Sequence, residues 1–283
     1  MIDNKSTFFK VPGAVEKRVN PKIGIAFIIL IILQFYLLPL MPLVVGTDIN
    51  KYAAYTYFYA MSSYTMIVLG IMIFQANGIV LFQDHFTLWI IVLSCFLRTN
   101  LGGDHKLIYS NYFSFLGVIL SIYILANRKN IKFPNLKLIF IGLLWSVGTV
   151  IIIALLYTLS NSVYSKSLPL NLFTIVINTF VFQLSFVTVI EEACFRGLIV
   201  GFMIMNGYKE NTALFIQAIL FWGIHYMDII ANPALFFIIV PLFTLSATLI
   251  IKKYKMLYLS IIMHTLFNVC TSILVTVLHR YLS

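Results

Sequence analysis

Long apolar runs recur from residue 23 to residue 278, separated by short polar loops. That pattern limits the fold more than any single residue does. A membrane helix needs about 20 mostly apolar residues, and most of these runs reach that length. Over 283 residues the chain is 61% hydrophobic and 10% charged, with mean hydropathy +0.99. Soluble domains are about 45–50% apolar and about 25% charged, so this chain has too little polar surface to cover itself in water. In hydrocarbon every backbone N–H and C=O must be satisfied inside the span, which leaves helices or closed barrels. A barrel would show short alternating segments, and none occur. The fold class expected is all-α: a polytopic transmembrane helical bundle of eight or nine helices.

A net charge of +10 invites a nucleic-acid reading. The basic residues instead cluster in the loops between apolar runs, the distribution of a multi-pass membrane protein with positive loops inside. No nucleic-acid partner is expected, and the lipid bilayer is. Residues 1–22 carry Lys5, Lys10, Lys17, Arg18 and Lys22 and read as a cytoplasmic N-terminal segment. The first apolar run continues through QFYLLPLMPLVV with no small-residue cleavage site, so it reads as a retained helix. Spans are expected at about 23–45, from Ala53 past Phe74, a short one at 86–97 (tilted or re-entrant), and then 107–126, 138–160, 170–205, 212–227, 235–251 and 256–278. The basic loops 127–137 and 252–255 are expected in the cytoplasm, and 46–52 and 161–168 outside. Residues 23–137 read as N-terminal transmembrane helices and 138–278 as the functional core. Cys95, Cys194 and Cys270 all lie in apolar runs and show neither metal-pair nor disulfide spacing.

One place breaks the apolar pattern. Between Lys166 and Lys209 the only charged residues are Glu191, Glu192 and Arg196. A charge at the bilayer centre costs about 2.5 kcal/mol or more, so an intramembrane carboxylate pair needs a reason. In E-E-A-C-F-R, Glu192 and Arg196 stand i, i+4 and can pair on one helical face. Glu191 is turned by about 100° from Glu192 and has no such partner, which makes it the candidate general base. Further along come Phe221-x-x-x-His225 and His264-x-x-x-Asn268 on separate runs. A single His or Asn in a membrane helix is commonly an interhelical hydrogen-bond partner. A carboxylate, two histidines and an asparagine converging in one bundle form instead a polar pocket with a base and hydrogen-bond donors. Cys194 lies between Glu192 and Arg196, but a cysteine in apolar surroundings is usually an inert small hydrophobe.

The ordered set E-E-x-x-x-R, F-x-x-x-H and H-x-x-x-N on successive apolar helices resembles the CPBP family. This is the CAAX-protease and bacteriocin-processing family, also called Abi, which includes the Rce1-type prenyl endopeptidases. The resemblance covers about residues 138–275 and departs from none of the three patterns. It implies an intramembrane endopeptidase, a hydrolase whose site opens towards the cytoplasm. By that resemblance Glu191 and His225 hold and activate a water, and His264 and Asn268 form the oxyanion site. Glu192, Arg196 and Phe221 support the helices around them.

Glu191, His225 and His264 are also a zinc-type donor set. The chain lacks H-E-x-x-H, in which two ligands share one helix, and the expectation is no metal and no other cofactor. The expected partner is a peptide or membrane-protein substrate in the plasma membrane of a bacterium. Two other readings compete. One is a non-catalytic scaffold or bacteriocin-immunity protein acting on a membrane signalling partner. The other is a transporter with a proton-relay carboxylate, against which stands the lack of an internal repeat.

Overall fold

The structure is a computed structural model that describes residues 21–37, 40, 49–76, 80–82, 84–99, 106–133, 135–160 and 172–282. Most of the N-terminal segment, and the turns expected at 46–48 and 161–168, lie outside the described residues. The described residues form helices in the order α1 (Pro21–Leu37), α2 (Ile49–Ala76), α3 (His85–Thr99), α4 (Lys106–Ala126), α5 (Leu136–Ser160), α6 (172–205), α7 (Glu210–Gly223), α8 (Asp228–Ala231), α9 (Leu235–Tyr254) and α10 (Leu257–Leu282). The bundle is all-helical, as the apolar runs require. Ala54–Ile73, Leu136–Leu156 and Leu235–Tyr254 are each long and apolar enough to cross a membrane. The ambiguous run at 86–97 is one continuous helix, α3, of 15 residues. At about 1.5 Å per residue it falls short of the ~30 Å hydrocarbon core.

Local chemistry sets the helix ends. Asp84 caps α3: its carboxylate accepts from the Thr87 backbone N–H at 2.7 Å and from the Thr87 hydroxyl at 2.6 Å. α9 ends at Lys255, which takes the left-handed conformation (φ 57°) and returns its N–H to the Ile251 carbonyl at 2.8 Å. Its ammonium pairs with Glu210 at the start of α7, 2.6 Å away. Without a hydrophobic force between helices in lipid, small residues allow close approach. A methyl group on Gly197 of α6 would stand 2.4 Å from the ring of buried Phe82, so α6 meets the 80–82 turn at backbone distance.

The contacts between helix ends place several loops together. Gly24 of α1 lies against Asn206, just beyond α6. Lys255 pairs with Glu210, and the Tyr258 backbone N–H donates to the Thr87 hydroxyl at 3.0 Å. The His85 N–H donates to the Lys132 carbonyl at 3.1 Å. The basic residues of 127–132 and 252–255 therefore share one end of the bundle with Lys22 and Lys209. α10 runs through the middle, against α5, α6 and α9. The outer faces of α1, α4 and α5 expose Ile25, Ile122, Phe140 and Ile152, the surface expected of helices bathed in lipid.

Candidate active site

Four helical segments build the site, and α6 departs most from regularity. Its stretches Gln183–Val187 and Glu192–Ile199 are π-helical, with the short α-helical Thr188–Glu191 between them. The start of α9, Leu235–Ile239, is π-helical too. Single π-turns of this kind widen a helix and occur frequently at functional sites. Here Glu191 is the last residue before the wide turn and Glu192 the first residue in it.

Glu192 and Arg196 are both fully buried and joined through Glu192 Oε1 and Arg196 Nη1. The guanidinium also lies over two aromatic rings, 4.3 Å from the Phe221 centroid and 5.6 Å from Phe243. That cation–π contact offsets part of the cost of burying the charge. Glu192 Oε2 and Arg196 Nε and Nη2 have no hydrogen-bond partner among the described residues, each a cost of about 1–3 kcal/mol unless hydrated. The same Glu192 Oε1 faces His264 Nδ1 at 2.8 Å. A carboxylate oxygen only accepts, so Nδ1 carries the proton. His264 Nε2 is left pointing towards Glu191 Oε2, 3.8 Å away. His264 thus bridges two adjacent glutamates, with one ring nitrogen on each. The sequence paired His264 with Asn268 and left Glu191 without a partner. The structure instead gives Glu191 the far nitrogen of His264.

His225 was expected inside a helix covering 212–227. α7 ends at Gly223, and His225 sits in the turns that follow, with its N–H on the Trp222 carbonyl at 3.1 Å and its carbonyl taking the Asp228 N–H at 2.9 Å. The tightening coincides with a tertiary contact. A side chain on Gly223 would stand 2.1 Å from the Tyr36 hydroxyl, and that hydroxyl donates to the Leu220 carbonyl at 3.2 Å. The His225 ring is partly exposed, with Nδ1 3.3 Å from Asp228 Oδ2. Phe221 sets its direction: the two rings meet edge to face at 5.5 Å, and Phe221 meets His264 the same way at 6.0 Å.

Glu191, His225, His264 and Asn268 all line one cavity of about 180 Å³, walled by apolar residues including Phe243 and Phe267. Asn268 Nδ2 donates to Gln183 Oε1 at 2.8 Å, which fixes the amide and leaves its second N–H for another acceptor. Gln183, Phe243 and Asp228 were not singled out from the sequence. Gln183 lies eight residues before Glu191 and reaches the site through Asn268, which lines the cavity. Cys194 is fully buried and does not line the cavity. All three cysteines are free.

Among the described residues no three His, Cys, Asp or Glu side chains are grouped to hold a metal. His264 Nδ1 is committed to Glu192, and His225 faces Asp228. What the arrangement offers is a proton acceptor, imidazole nitrogens and an oriented amide in a small pocket of low polarity. Residues 171–270 match the family model described as type II CAAX prenyl endopeptidase Rce1-like. No curated protein and no solved structure matches the chain.

Proposed function

Starting from the Rce1-like CAAX protease domain carried by residues 171–270, we propose that this chain is an intramembrane endopeptidase that hydrolyses a peptide or membrane-protein substrate. The observation that carries the reading is the convergence of Glu191 from α6, His225 from the turns after α7, and His264 and Asn268 from α10 on one cavity. Glu191 takes a proton from a water held between it and His225, and the resulting hydroxide attacks the scissile carbonyl. A positioned general base contributes about 10²–10⁴-fold. The second N–H of Asn268 donates to the oxyanion. His264 donates through Nε2 when it carries a proton there as well as on Nδ1, because Nδ1–H is committed to Glu192. Each such donor is worth about 2.7–4 kcal/mol in the transition state. Glu192 then acts on His264 as a buried carboxylate acts on an imidazole elsewhere, fixing its proton and its direction.

The test is reconstitution in liposomes with a peptide library. Glu191→Gln keeps the shape and a hydrogen-bonding oxygen but cannot take a proton, so cleavage should vanish while folding and membrane insertion persist. Cleavage should also survive exhaustive chelation. If Glu191→Gln cleaved as the unaltered protein does, the protease reading would fail and the scaffold reading would replace it. Loss on chelation with recovery on added zinc would overturn the metal-free mechanism alone.

A further inference from the structure

At the basic end of the bundle, away from the candidate active site, α3 and α4 leave a groove of about 490 Å³. Its walls are apolar and turned outward: Phe86, Trp89 and Leu125 are 44%, 41% and 60% exposed. Its rim is cationic, with Arg128 and Lys129 in the short 3₁₀ turn that follows α4. Neither cation pairs with a carboxylate among the described residues. Asp84, next in sequence to His85, has both its oxygens taken by Thr87. Among the described residues two positive charges therefore stand beside an apolar slot and neither is neutralised. His85 is held at the mouth of the slot by stacking on Phe133, centroids 4.1 Å apart.

We propose that this groove binds one anionic phospholipid, with its phosphate on Arg128 and Lys129 and an acyl chain along Phe86, Trp89 and Leu125. The two halves of the groove match the two halves of such a molecule. Basic pockets between membrane helices near a charged surface suit anionic headgroups, and an exposed tryptophan at that level suits the interface. A free phosphate would use the rim and leave the apolar wall idle. A zwitterionic lipid would bring its own cation against Arg128. The proposal rests on the membrane reading and not on proteolysis, so its failure leaves the protease reading intact.

Native mass spectrometry of the purified full chain with equal phosphatidylglycerol and phosphatidylcholine tests it. The protein should retain phosphatidylglycerol preferentially. Arg128→Gln and Lys129→Gln should each weaken retention roughly fivefold, and together about thirtyfold. Trp89→Ala should weaken it too, while Lys137→Gln, in the first turn of α5 and outside the groove, should not. If the double variant does not fold, the two single variants carry the comparison. Equal retention of both lipids would overturn the proposal. So would an equal loss in Lys137→Gln, which would mean diffuse surface attraction. Glycerol phosphate binding as tightly as the lipid would overturn it as well, since that probe has no acyl chain.

Discussion

His264 and Glu192 have a shared role that neither has alone. Glu192 Oε1 serves both Arg196 and His264, so the fully buried ion pair also holds the imidazole. Removing the carboxylate strands Arg196 in an apolar setting and frees His264 at once. Breaking one side of a buried pair costs about 3–5 kcal/mol. Glu192→Ala should therefore lower thermal stability in detergent as well as activity. Equal melting and equal expression of variant and unaltered protein would rule out the bracing role. Asn268 is held from the other side of the cavity by Gln183. Asn268→Ala should reduce turnover about 10²–10³-fold if its amide is an oxyanion donor. Gln183→Leu should give a smaller loss in turnover with little change in substrate affinity, because it releases a donor without removing it. Single-turnover kinetics on both variants check this. A Gln183→Leu enzyme with unaltered turnover would remove Gln183 from the site.

At the scale of elements, the apolar runs place the helices well because length and hydropathy alone decide whether a span can form. The run at 256–278 and the observed Leu257–Leu282 agree, as do 107–126 and Lys106–Ala126. The periodicity inside a span says less. The three π-turns leave no mark in composition, so the i, i+4 logic of a regular helix found the Glu192–Arg196 pair but missed Gln183 and misplaced His225. Those misses arise where tertiary packing, such as Tyr36 against Gly223, overrides local preference. The cap of α3 shows a similar tension. Burial pushes the Asp84 carboxyl up from 3.8 to about 6, against the hydrogen bonds from Thr87 that favour its charged form. Below 3.8 the folded and unfolded chains both hold the proton, and above about 6 both have released it. Between those values only the folded chain keeps it, so stability should fall as pH rises through that window. Melting temperature measured from pH 4 to pH 7 should show this decline, and Asp84→Asn should flatten it. A decline of the same size in Asp84→Asn would assign it to other groups.

At the scale of the molecule, the basic loops at 127–132 and 252–255 meet at one end, as the charge pattern anticipated. That end is predicted to be cytoplasmic. Asn130→Cys in a Cys270→Ser background should react with a membrane-impermeant thiol reagent only after cells are opened. Labelling in intact cells would invert the topology. Among the described residues every cavity-lining one comes from 187–271. The wide turn Glu192–Ile199 has a consequence for how such a gene can change length. Deleting one codon there would restore regular bonding over that turn of α6. It would also swing the preceding segment by about 100° relative to the following one, carrying Glu191 off the cavity wall and Gln183 away from Asn268. The helix would become more regular while the pocket came apart, so selection for the pocket would preserve a residue that the helix itself does not need.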